Sequence, residues 1–137
     1  MKNGRDAGNV VEKSIEDSYA FLEGDYAVID KVVVAIHMLY ILEDANMRDK
    51  DFLFFQDYIA QESKNFEDDI LLQANVLEAL SKTHYKDRTF LDGMAQYLKK
   101  KQAQDGGWYL RKDAQDEYGR VFTTFRAILA LNAYEGK

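Results

Sequence analysis

The chain has 137 residues, 47% hydrophobic and 31% charged, which fits one soluble globular domain spanning residues 1–137. A net charge of −6 and a pI of about 4.9 disfavour a phosphate backbone, so nucleic acid is not an expected partner. The absence of cysteine excludes disulfides, thiolate zinc sites and cysteine nucleophiles, and suits a cytoplasmic protein.

The opening stretch, MKNGRDAGNVVEK, is polar and carries no apolar signal segment. The longest apolar run, Val32 to Ile36, is too short for a transmembrane segment. Proline is absent, as suits helices joined by short turns. The one basic run, Lys99-Lys100-Lys101, reads as a solvated helix face.

Six helices are predicted. The first covers Val10–Glu23 and stops near Gly24. The second covers Tyr26–Ala45; between Val28 and Leu42 only Asp30, Lys31 and His37 are strongly polar, so it is expected to be buried on most sides. Its Val32-Val33-Val34 run suits a strand locally, but the segment is long and lacks strict alternation. The third covers Asp49–Glu62, the fourth Asp69–Lys82, the fifth Asp87–Lys101 and the sixth Gly119–Tyr134. In the sixth, Phe122, Phe125 and Leu129 share one stripe. Helices two, four and six read as inner, and one, three and five as outer.

The chain also echoes itself. ILLQANVLEAL (70–80) aligns without gaps on VFTTFRAILAL (121–131), and AIHMLYIL (35–42) is a fainter copy. Three outer-plus-inner hairpins result, the third with an extra stretch, 109–119, between its helices.

QAQDGGWY (102–109) interrupts this pattern. Gly106 and Gly107 permit positive φ and break the helix. Gln102 can bond the orphan groups of a helix end, and Trp108 can bury ~150–250 Å² against a neighbour. From Gly93 the spacing runs through Tyr97, Leu98, Gln102, Asp105, Gly106 and Gly107 to Trp108. It resembles the QW repeat of squalene and oxidosqualene cyclases. The following TTFRAILAL (123–131) is similar to the inner helix of the wider prenyltransferase and squalene-cyclase repeat. The match is good over 93–131 and loose over 54–80; it departs at Asp92, where the family has Lys or Arg.

The resemblance implies an all-α fold of about three α/α hairpins, a partial α/α toroid. It also implies that Gln102 and Trp108 tie an outer helix to its neighbour and do not react. The family's chemistry leaves marks that differ here. A cyclase D-x-D-D acid would fall on FEDD (66–69), where Phe66 replaces the first carboxylate. The prenyltransferase zinc site and the complement-type thioester both need cysteine. Asp68-Asp69 is followed by Ile70-Leu71-Leu72, which is not D-D-x-x-D. The calcium carboxylates of toroidal pectate lyases form too diffuse a pattern to test.

Acids gather before each inner helix: Asp25 and Asp30; Glu67, Asp68 and Asp69; Asp113, Asp116 and Glu117. Helix capping explains such a distribution, and an acidic mouth for a cationic ligand is the alternative. His37 reads as a core residue with one hydrogen-bond partner, with a proton shuttle as its other role. The candidate ligand-binding residues are therefore Asp68, Asp69, Asp116, Glu117 and His37. No catalytic residue, metal site or cofactor is expected.

Family toroids close with more hairpins than three, and an open arc exposes apolar surface at its ends. The expected function is a non-catalytic module that binds a second copy of itself, another protein chain or an apolar small molecule. The alternative is a fragment or subunit of a terpene-cyclase-like enzyme.

Overall fold

A computed structural model describes residues 4–110 and 117–136. The architecture is all-α: α1 (Gly4–Glu23), α2 (Val28–Asp44), α3 (Lys50–Ser63), α4 (Ile70–Lys82), α5 (Arg88–Lys101) and α6 (Glu117–Glu135). The chain divides into two compact units, Met1–Glu62 and Ser63–Lys137.

In the first unit α1 packs along α2. Rings join α1 to α3: Tyr19 stacks on Phe55 at 5.2 Å between centroids, and its hydroxyl donates to Asp51 Oδ1 at 2.6 Å. Burial first, and then the Asp51 carboxylate, raises the Tyr19 phenol well above its ordinary value and keeps it a donor. Phe21 and Tyr26 stack across the α1–α2 turn, 4.0 Å apart.

α2 is less enclosed than its composition predicts. Val32, Ala35, Leu39 and Leu42 are buried, but Asp30, Val33, His37 and Ile41 form an exposed face at helical spacing. His37 is therefore not a core residue. Its Nδ1–H donates to its own helix, at Val33 O, 2.8 Å away.

α2 and α4 end in the same way. Met47 N–H bonds Leu42 O at 2.9 Å and Tyr85 N–H bonds Leu80 O at 2.9 Å, with Asn46 and His84 at positive φ between them. These are two Schellman stops at matching repeat positions, built on Asn and His in place of the usual glycine. They give the faint similarity between the first two hairpins a geometric counterpart.

In the second unit α4 is the most enclosed helix; Ile70, Leu72, Ala74, Val76, Leu77, Ala79 and Leu80 are all buried. The Thr83–Asp87 turn folds α5 back against it, and α5 buries Leu91, Met94, Ala95 and Leu98. Asp92 meets Tyr134 near one end of the α5–α6 pair, and Leu98 meets Trp108, which bonds Thr124, near the other. α6 thus runs antiparallel to α5 and parallel to α4, its most extensive neighbour.

α6 departs from the expected inner helix. Thr123, Ala127 and Ala130 are fully buried, while Phe122, Phe125 and Ile128 are about half exposed, at 46%, 57% and 47%. The small residues face inward because α6 lies close along α4, and the large rings are left outside. Each of these two helices also carries a charge into the contact. Glu78, 3% exposed, is paired with Arg126 Nη2, and Arg126 Nε donates to Asn75 Oδ1 at 3.0 Å. Lys82 lies 3.8 Å from the second Glu78 oxygen.

Candidate functional site

The turn after α5 is built from its own polar groups. Gln102 is extended (φ −63°, ψ 131°) and ends the helix. Ala103 N–H then donates to Gly107 O at 2.7 Å, and Gly106 N–H to Ala103 O at 2.9 Å. The Gln102 amide crosses the turn to Gly106 O at 2.8 Å, and Asp105 Oδ1 accepts from Gly107 N–H at 3.2 Å.

The two glycines serve different ends. Gly106 sits at φ +94°, where a side chain is strained. At Gly107 a Cβ would lie 2.5 Å from Arg120 Nη2 and 3.1 Å from Thr124 Oγ1. Its missing side chain lets Arg120 lie on the turn and pair with Asp105. Gly106→Ala is expected to cost about 1–2 kcal/mol in urea unfolding. Gly107→Ala should cost less, because a flexible guanidinium can move aside.

Trp108 joins this turn to two helices. It is 3% exposed. Its Nε1–H donates to Leu98 O at 2.7 Å. That carbonyl belongs to the last turn of α5, where no backbone partner within the helix remains. Trp108 N–H donates to Thr124 Oγ1 of α6 at 2.9 Å. Two residues on, Leu110 O accepts from Ile70 N–H, the first residue of α4, at 3.2 Å. Gln102, Asp105 and Trp108 are thereby engaged in holding α4, α5 and α6 in place. The Leu98 side chain is itself fully buried.

Tyr97 points to the α3–α4 connection, where its hydroxyl donates to Glu67 O. Burial, and then the nearby carboxylates of Asp68, Glu67 and Asp69, raise the phenol above its ordinary value. Asp69 is the N-cap of α4 and accepts from Leu72 N–H at 3.0 Å, while its neighbour Asp68 is exposed. Asp69→Ala is expected to lower stability by about 1 kcal/mol in urea unfolding, with Asp69→Asn close to neutral. Asp68→Ala should change it by less than about 0.5 kcal/mol. Asp113 and Asp116 lie outside the described residues, and Glu117 opens α6 with its side chain outside them. Among the described residues no group of three His, Cys, Asp or Glu side chains is placed to hold a metal ion. His37 belongs to the other unit.

Shallow cavities open on this unit among the described residues. One, of about 330 Å³, lies over the turn and is lined by Asp105, Gly107, Arg120 and Val121. Another, of about 370 Å³, is lined by Lys64, Glu67, Phe90, Gly93, Met94 and Tyr97.

A further surface feature is the outward side of α6. From Tyr118 to Asn132 its exposed side chains are Tyr118, Val121, Phe122, Phe125, Ile128 and Asn132, and none is charged. The two arginines in this span turn away into pairs, Arg120 with Asp105 and Arg126 with Glu78. Periodicity alone reveals the Phe122–Phe125 stripe but not its outward direction. Sequence reasoning misses the Glu78–Arg126 pair; its signal is a single charge inside each of VLEAL and TFRAIL.

No helix among the described residues is long and apolar enough to cross a membrane. Comparison with protein-family models, curated proteins and solved structures finds no match.

Proposed function

We propose that this chain is a helical-hairpin module of the α/α-toroid kind, and that it works by docking a partner protein through the outward face of α6. The observation that carries the reading is that face itself: five apolar residues in a row, without a charge, on a chain that is 31% charged. Soluble monomers rarely expose apolar patches larger than a few hundred Å², and a patch at that limit is often functional. The parallel run of α4 and α6, with α5 linking them, is the arrangement a toroid of hairpins uses. The QW-like turn is then the brace that holds α6 in place while its outer side meets a partner. In this reading Asp69 serves as a helix cap.

A single cysteine tests the reading, because the chain has none of its own. Phe125→Cys in dilute protein should react with a maleimide at a rate close to that of a cysteine placed at exposed Gln96. Protection of 100-fold or more would mean that the chain covers this face itself, and the reading would fail.

A further inference from the structure

We infer that the partner is a second copy of this chain, seated antiparallel on α6 about a two-fold axis level with residue 123. This rests on the docking reading above and names its occupant. Three observations point to it.

The first is spacing. Residues 118, 121, 125, 128 and 132 follow one another at intervals of three, four, three and four, the heptad seam by which helices pair. The seam lies on the solvent side of α6: α4 is met on the other side, through Arg126, and Thr123, Ala127 and Ala130 are fully buried. A second copy supplies the same seam.

The second is area. The exposures of Tyr118, Val121, Phe122, Phe125 and Ile128 are 82%, 67%, 46%, 57% and 47%. Together these side chains offer on the order of 500 Å² of apolar surface. A standard interface takes about 800 Å² from each partner, and in homodimers about two-thirds of it is apolar. Buried in full, the face would supply the apolar share of a standard-size interface.

The third is charge and size. Two copies each carry a net −6 and repel in most orientations. Between Tyr118 and Asn132 the α6 face holds no exposed charge, so contact there adds no close repulsion. Antiparallel pairing sets Val121 against Phe125 of the other copy and Tyr118 against Ile128, a large side chain facing a smaller one in each layer. Parallel pairing would set Phe125 against Phe125. The helix dipoles also oppose favourably only in the antiparallel arrangement.

The test is solution mass by light scattering over a dilution series, with disulfide trapping to fix the register. Wild-type protein should be a dimer at high concentration and dissociate on dilution. Phe125→Glu should weaken association by roughly 100-fold or more, since it buries an unpaired charge at the seam. Because Phe125 is exposed, this variant should melt like the wild-type monomer at low concentration.

In the trapping arm, Phe122→Cys lies beside the axis and should link to its own copy. Ile128→Cys, roughly 15 Å from its symmetry mate along the axis of α6, should link only when mixed with Tyr118→Cys. Self-linking of Ile128→Cys as efficient as that of Phe122→Cys would overturn the antiparallel register. A dimer unaffected by Phe125→Glu, or a monomer at every concentration, would overturn the inference. If the chain is such a monomer and the thiol of Phe125→Cys reacts freely, the docking reading survives with a different partner. If that thiol is protected in the monomer, both fail.

Discussion

Trp108→Ala should be among the most damaging single substitutions in this chain, lowering stability by about 3–5 kcal/mol. The residue is 3% exposed and its indole fills the junction of α5 and α6. Truncation removes the packing of a large ring and also leaves the Leu98 carbonyl without its donor. The two losses separate experimentally. Trp108→Phe keeps most of the ring and removes only the N–H, so it should cost about 1–3 kcal/mol, the penalty of an unsatisfied buried carbonyl. Urea unfolding followed by circular dichroism gives both values. A Trp that served a ligand would be cheap to remove from the folded chain. A Trp108→Ala loss under about 1 kcal/mol would therefore overturn the structural role assigned to the 102–108 turn.

The second large effect lies between α4 and α6. Arg126→Met should cost about 3–5 kcal/mol, because it leaves the Glu78 carboxylate, 3% exposed, without its guanidinium. Lys82, paired with the second Glu78 oxygen at 3.8 Å and about half exposed, should offset only part of that loss. Removing both charges is a different matter. In Glu78→Leu plus Arg126→Met the buried ion is gone, and apolar side chains of similar size can pack in its place. The double variant should recover most of the loss, giving a coupling of about 2 kcal/mol or more in a double-mutant cycle. Additive losses would show that the two residues act independently, against the pairing of α4 with α6 through this contact.

These two sites show how far the sequence can be read. The helices are legible almost to their ends, except that α1 begins at Gly4, six residues before the expected Val10, because the polar stretch ahead of Val10 carries no apolar period. α4 and α5 begin one residue after the acids that cap them, Asp69 and Asp87. The turn at 102–108 is legible too, since a paired glycine beside a tryptophan admits few local structures. What sequence does not supply is direction. Periodicity groups Phe122 with Phe125 and groups Ala127 with Ala130, but it does not say which group meets a neighbour. Large residues are the natural choice for the inside. The close approach of α4 reverses that choice, because only the small side of α6 fits against it. His37 escapes a sequence reading for a related reason. A helix with few polar residues still has an outward face, and in α2 that face carries Val33, His37 and Ile41. The Glu78–Arg126 pair is hidden by distance along the chain: 48 residues separate two charges that meet only once α4 and α6 lie side by side.

The outward face of α6 is proposed to serve contact with a partner and not the fold of the chain. The most direct measurement is the urea unfolding free energy of Phe122→Ser plus Phe125→Ser, made at protein concentrations low enough to exclude association. Each ring is about half exposed, so the pair should cost only the packing of its buried halves, about 1–3 kcal/mol. A loss of about 6 kcal/mol or more would show that both rings are packed inside the folded chain, and would contradict a face built for a partner.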